Sequence, residues 1–319
     1  MKKILITGVT GFVGKHLASH LLTQKSYEVV GTYRNEAHLS SLGDLQDQIQ
    51  LKQLNLHDTD EVESVILSTK PDYICHLAAQ ASAFESYKSP VDTLTNNIVS
   101  EFAVLDVLRK HEMKNTRVLI VSTGEVYGVV TPSDLPVDEE TPLRPASPYA
   151  VSKIAQDYLG LQYFYAYNLD IVRVRPYNHI GPGQKEGYVV ADFAKQVAEI
   201  EKGHKEPVIS VGNLDAKRDF TDVRDIVTAY RLALEKGVSG DVYNIGSGKS
   251  HKVSEILEML LALSTKEITV EVDKSKFRPI DVREIVCDFD KFHGLTGWKP
   301  TIPLEQTLQD ILDYWRSLV

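Results

Sequence analysis

Two cysteines in 319 residues, Cys75 and Cys287, are too few for a disulfide framework and stand in no metal-ligand spacing, so reduced core thiols are expected. A basic excess is also missing: the formal net charge is −9, which argues against a nucleic-acid surface. No apolar run approaches the ~20 residues of a membrane span. Met1-Lys2-Lys3 and the apolar residues after it imitate a secretory leader, but Gly8 interrupts the run early. The ten histidines show no ligand spacing, and no repeat or low-complexity linker divides the chain. What remains is the expectation of a soluble cytoplasmic protein with no metal, membrane or nucleic-acid partner. A hydrophobic content of 43% suits one large or two intimate domains.

Among what is present, the first line of the chain is the most regular. Residues 3–7 read as a short buried strand, Gly8-Val9-Thr10-Gly11-Phe12-Val13-Gly14 follows at once, and an amphipathic helix is predicted from about Lys15 to Leu22. Strand, glycine turn and helix make a dinucleotide-binding unit. Gly8 permits the turn, Gly11 lets backbone approach a pyrophosphate, and Gly14 allows close helix packing. Free N–H groups at the helix start face the anion. An ordinary glycine-rich turn is the plainer reading, which the position after the first strand disfavours. Glu28 to Arg34 reads as the second strand. An acidic residue at its end would bind a ribose 2′-hydroxyl, but Tyr33 and Arg34 stand there. A cation without a carboxylate suits a 2′-phosphate, so NADP(H) is preferred over NAD(H), which stays possible. Arg34 reads equally as a plain surface arginine.

Tyr149 and Lys153 lie four apart in Ser147-Pro148-Tyr149-Ala150-Val151-Ser152-Lys153. Pro148 is compatible with a first helical turn, which puts the two side chains on one face. An ammonium beside a phenol favours the phenolate and brings its proton exchange nearer neutrality. The same spacing also occurs as an inert surface pair.

Strands and helices alternate through the first half, with further strands at 72–77, 117–122 and 171–174. The fold expected is α/β: a Rossmann-type doubly wound parallel sheet with ligands at the carboxyl ends of its strands. Residues 1–175 form the dinucleotide-binding domain. Residues 176–319 form mainly a smaller, discontinuous α/β substrate-binding lobe, with some segments returning to the first domain. Past Arg175 the pattern becomes irregular through Gly183, and helices are predicted near 192–202, 253–263 and 304–318.

With these pieces in order, the chain resembles the extended short-chain dehydrogenase/reductase family of nucleotide-sugar enzymes over nearly its whole length. The resemblance rests on the glycine turn, His76-Leu77-Ala78-Ala79, Asn97, Ser122-Thr123, Tyr149 with Lys153, and Arg175-Pro176-Tyr177-Asn178. It implies that Tyr149 exchanges the proton and Lys153 binds the nicotinamide ribose, with Thr123 bonding the reacting sugar oxygen. It also carries Gly8, Gly11, Phe12, Val13, Gly14, Arg34, Leu77 and Ala78 into cofactor binding. Asn178, Arg218 and Arg278 become nucleotide-diphosphate contacts, since guanidinium forks suit a dianion. Both arginines read alternatively as ion-pair partners, with Asp219, Asp222 and Asp281 close in sequence. Asn55 departs from the acidic residue the family often has near adenine. His76 reads as a packed side chain rather than a catalyst, and His179 falls in the sugar loop.

The residues after Thr123 separate the family's chemistries. Hydroxyl–Asp–Glu, or hydroxyl–Ser–Glu in the GDP-mannose branch, is common where water is eliminated. Here Gly124 has no side chain to protonate a departing hydroxyl, although Glu125 remains a candidate catalytic base. Hydroxyl–Gly–acid is similar to reductases acting on GDP-4-keto-6-deoxy-mannose. The expected activity is NADPH-dependent reduction of a GDP-linked 4-keto-6-deoxyhexose, giving GDP-D-rhamnose. A GDP-mannose 4,6-dehydratase using Glu125, a 4-epimerase and a non-catalytic dinucleotide-binding protein stay open. Tyr158, Tyr163 and Tyr165 follow Lys153 on the same predicted helix, which the resemblance makes part of a homodimer interface.

Overall fold

Seven parallel strands form the main sheet of the computed structural model, which describes residues 1–277 and 279–319. The first half of the chain lays down β1 (Lys2–Thr7), α1 (Phe12–Thr23), β2 (Tyr27–Tyr33), β3 (Gln50–Gln53), α2 (Thr59–Thr69) and β4 (Tyr73–His76). It continues through α3 (Ala83–Lys88), α4 (Pro90–Lys110), β5 (Arg117–Val121), α5 (Pro148–Tyr167) and β6 (Ile171–Pro176). The spatial order is β3-β2-β1-β4-β5-β6, with one more strand, β10 (Val242–Ile245), parallel to β6 at the edge. The order in which successive strands are added reverses between β1 and β4. That is the switch point where parallel α/β sheets bind ligands, outside the carboxyl ends of the strands.

Alternation along each strand covers both faces of the sheet. Ile4 and Ile6 of β1 pack with Leu17 and Leu21 of α1 on one side. Leu5, with Val118 and Ile120 of β5, packs with Val104 and Leu108 of α4 on the other. Helix α1 starts at Phe12, three residues earlier than the periodicity predicts. The end of the glycine turn is itself the first helical turn, so apolar spacing sees the helix only after Gly14.

After Pro176 come β7 (Asn178–Ile180), α6 (Val189–Glu201), β8 (Val208–Val211), β9 (Lys217–Asp222) and α7 (Val223–Lys236). Past β10 follow β11 (Ser250–Lys252), α8 (Val253–Ala262), β12 (Thr269–Val272), α9 (Asp290–Thr296) and α10 (Leu304–Leu318). Phe193, Val197, Ile256, Leu260, Leu308 and Leu312 of α6, α8 and α10 close a second core. Helix α7 instead turns Ile226 and Tyr230 into the core beneath the main sheet. The stretch 176–183, irregular by local pattern, contains β7, which pairs in parallel with β9 some forty residues later. Such a pairing leaves no mark in local periodicity. Among the described residues no helix is long and apolar enough to cross a membrane, and Cys75 and Cys287 are both free and buried.

Candidate active site

Ser147 caps α5 by accepting the Ala150 N–H at 3.1 Å, and Pro148 occupies the first turn, where its missing N–H is no loss. Tyr149 and Lys153 then rise one turn apart, both buried, at the carboxyl ends of β4 and β5. Lys153 Nζ donates to the Val121 carbonyl oxygen at 2.8 Å. Burial pulls the Lys153 ammonium down to about 8, and the carboxylate of Glu101 opposes that fall. Tyr149 departs from the sequence expectation. Burial raises its phenol well above the ordinary range, the negative charge of Glu125 raises it further, and the Thr123 hydroxyl works against both. An ammonium-softened phenol is thus not what this arrangement holds. Desolvation is the largest influence, and Tyr149 keeps its proton across the neutral range.

Thr123 ends the segment after β5 and caps a short helix at Gly124–Val126, its Oγ1 accepting from the Glu125 N–H at 3.2 Å. Tyr188, at the start of α6, feels the charge of Glu125 and in turn raises Tyr149. Thr123, Glu125, Tyr149 and Tyr188 therefore border one space, and Tyr188 is a residue that motif reading missed. Its signal is tertiary: it comes from the second core, with no spacing relation to Tyr149. Gly124 has a steric reason. A Cβ there would stand 2.9 Å from the Tyr177 ring, which is itself buried.

The glycine turn fits a dinucleotide on its own geometry. Gly8 sits at φ +72° against Ala78, and a Cβ on Gly14 would lie 2.5 Å from the Gly8 carbonyl oxygen. Gly11 caps α1 without any side-chain hydrogen bond, so the helix N-terminus is left for an external anion. Phe12 and Val13 form its first turn. Thr7 Oγ1 accepts the N–H groups of Leu77 and Ala78 at 3.1 and 3.2 Å, which draws that loop over the turn. Its own proton goes to His76 Nδ1 at 3.0 Å. His76 is thereby a packed, neutral ring, pushed down to about 3 chiefly by burial. Arg34 is exposed just past β2 and lines an open groove with Gln53, Asn55, Asp60 and Glu61.

A family model described as GDP-mannose 4,6 dehydratase matches residues 5–311. The chain belongs to the GDP-mannose 4,6 dehydratase family. It is 34% identical over 321 residues to the GDP-6-deoxy-D-mannose reductase of Pseudomonas aeruginosa, covering 100% of this chain and 98% of the relative. To GDP-mannose 4,6 dehydratase 1 of Arabidopsis thaliana it is 30% identical over 328 residues, covering 98% and 89%. The solved structure of RMD from Pseudomonas aeruginosa complexed with NADPH is similar with a TM-score of 0.85 at 32% identity, over 100% of both chains. This family consists of NAD(P)-dependent extended short-chain dehydrogenase/reductases, so the chain is an oxidoreductase with a nicotinamide cofactor.

For a member of the GDP-mannose 4,6 dehydratase family, the residues expected to meet a sugar nucleotide are less uniform in their surroundings than those around the glycine turn. Asn178 opens β7 and is half-buried. His179 stacks on Phe12 with ring centroids 6.3 Å apart, which joins the loop after β6 to the glycine turn. Arg218 pairs with Asp281 at 2.6 Å and donates to the Lys217 and Val282 carbonyls. That is the ion pair its sequence neighbours suggested as the alternative reading. Arg278 lies outside the described residues. Two further residues bear on the site. Asn97 of α4 donates to Ser152 Oγ at 2.9 Å and accepts the Gln80 N–H at 2.7 Å, tying α4 to α5 beside Lys153. Asp157, one turn past Lys153, binds Arg173 at 2.5 Å and Arg175 at 2.8 Å, anchoring α5 to β6.

Proposed function

We propose that this chain reduces the C4 ketone of GDP-4-keto-6-deoxy-D-mannose to GDP-D-rhamnose, with NADPH preferred over NADH. The glycine turn would hold the pyrophosphate of a dinucleotide whose reduced nicotinamide would supply the hydride. As negative charge gathers on the sugar O4, Tyr149 gives up its proton to it and Thr123 hydrogen-bonds the same oxygen. Lys153 steadies the phenolate that remains. A buried phenol that holds its proton suits this direction of reaction, because reduction needs an acid rather than a base. Residues after Pro176 contribute most of the sugar-nucleotide lobe, where Asn178 and Arg218 approach the diphosphate, Arg218 shared with Asp281. Arg34 turns the choice of cofactor toward a 2′-phosphate.

The observation that carries reductase over dehydratase is Gly124 against Tyr177. An acid able to protonate a departing C6 hydroxyl has no room at 124 unless a buried tyrosine moves. The similarity to a named GDP-6-deoxy-D-mannose reductase supports the same reading. Glu125, facing Tyr149, favours the second reading, in which it removes the C5 proton of GDP-mannose. Incubation with GDP-4-keto-6-deoxy-D-mannose and NADPH, followed by NMR of the sugar, separates the two. Cofactor oxidation with a new C4 carbinol signal is expected. Dehydration of GDP-mannose without added reductant would reverse the assignment. A homodimer through α4 and α5 belongs to the same proposal, since Phe102, Val151, Tyr158 and Tyr165 are left exposed there, whereas Tyr163 is buried. A monomer in sedimentation at micromolar concentration would remove that part.

A further inference from the structure

Between α4 and α5, behind Lys153, lies a carboxyl group that the proposed reaction does not use. Glu101 is 1% exposed, and neither of its oxygens makes a hydrogen bond of ordinary geometry among the described residues. An under-satisfied buried carboxylate is expensive, on the order of several kcal/mol. Its position is set by the packing of the two helices. Asn97 donates to Ser152, and Gln156 Nε2 donates to the Asn97 carbonyl oxygen at 2.8 Å. One turn after Asn97 on the same face of α4, Glu101 therefore stands against the Lys153–Asp157 turn of α5.

The charged and titratable groups around this spot can be named from each element. From α5 come Lys153 and Asp157, with the Gln156 amide between them. Asp157 is already held by Arg173 and Arg175 of β6. From β4 comes His76, neutral and bonded to Thr7. Among the described residues of this group, Lys153 is the cation not committed to a carboxylate, and the acceptor of its hydrogen bond is a backbone carbonyl.

We propose that Glu101 is the counter-charge that keeps Lys153 cationic, acting on the reaction through Lys153 as a positioning residue. The proposal rests on the reading of Tyr149 and Lys153 as the proton-transfer pair. After Tyr149 has lost its proton, an ammonium stabilises the phenolate electrostatically, whereas a neutral amine does not. Burial alone drives Lys153 toward the amine, and Glu101 offsets part of that drive. Burial also raises Glu101, and the ammonium of Lys153 opposes that rise.

The test follows ketone reduction by the NADPH-saturated enzyme from pH 6 to 9.5, together with NMR of 13Cε-labelled lysine in the cofactor-free protein, Lys153→Arg assigning the signal. In Glu101→Gln the alkaline limb of kcat/KM moves lower by about one on the pH scale, which makes it roughly fivefold slower at pH 8 and nearly unchanged at pH 6.5. Glu101→Asp, which keeps the charge, restores most of the limb. The Lys153 resonance titrates at lower pH in Glu101→Gln. In the unmodified protein it shows a second, smaller inflection as Glu101 titrates. A Lys153 midpoint unmoved in Glu101→Gln overturns the proposal. Should that variant not fold, a single inflection in the unmodified protein overturns it equally. If the chain fails to reduce the ketone at all, the lysine signal still reports on this pair, so the two readings fail separately.

Discussion

Lys153 and Asp157 sit one turn apart on the same buried face of α5, yet their surroundings are opposite. Asp157 has no exposed surface, and each of its oxygens takes a guanidinium, from Arg173 and from Arg175. Arg175 is itself fixed further by donating to the Tyr127 hydroxyl at 2.9 Å. Lys153 is buried almost as deeply but has one backbone acceptor and a carboxylate that makes no ordinary hydrogen bond. Paired charge of the first kind holds a helix in place. Charge of the second kind is poorly stabilised at rest and free to respond when a charge develops nearby. One helix thus carries an anchor and a responsive group within four residues, and the anchor is what makes the responsive group's position reproducible.

That contrast can be broken in steps. Tyr149→Phe removes the proton donor while keeping the ring, so ketone reduction should fall by about 10²–10⁴-fold with NADPH binding nearly intact. Full activity in this variant would remove the responsive half of the comparison. Asp157→Asn leaves two buried guanidiniums without their anion and should lower stability by about 3–5 kcal/mol in chemical denaturation. Loss of activity in proportion to unfolding, rather than beyond it, would mark the residue as an anchor only. Lys153→Met should change stability by no more than about 1 kcal/mol at pH 7, because the charge it removes was costly to bury and Glu101, left without its cation, neutralises by taking up a proton.

The same variant sharpens the pH dependence. The unfolded chain keeps the Lys153 proton up to pH ~10.4, whereas the folded protein releases it near 8. Between those values the unfolded state binds more protons, so this group makes folding more favourable as pH rises, with a slope of at most about 1.4 kcal/mol per pH unit. Below about 8 the contribution is flat. Denaturation curves for the original protein and Lys153→Met should therefore converge or cross only on the alkaline side. Parallel curves would show that Lys153 is not shifted.

The glycine turn, the strand–helix alternation and the Tyr149–Lys153 pair are all legible along the chain, because each depends on short-range spacing. Gly14 is glycine because the Gly8 carbonyl lies 2.5 Å from where its Cβ would be, and both residues belong to one motif. Tyr188, β7 and the place of Glu101 are not legible in this way. Each depends on segments that meet only after the sheet has formed: α6 from the second core, β9 beside β7, and α4 against α5. Arg218 was readable either as a phosphate clamp or as an ion-pair partner, and the approach of Asp281 across 63 positions in sequence supplies the pair.

By itself the sequence determined the class of chemistry, since a glycine turn after the first strand and a phenol one turn before an amine on a capped helix are local facts. Tertiary structure decided the protonation states. Sequence spacing places an ammonium near a phenol and so expects the phenol to ionise more easily. Folding buries both, and the cost of desolvating the phenolate, added to the charge of Glu125, keeps the proton on Tyr149. The phenol consequently rests as an acid, and whether Lys153 carries its charge is set by its burial and, against that, by a carboxylate on another helix.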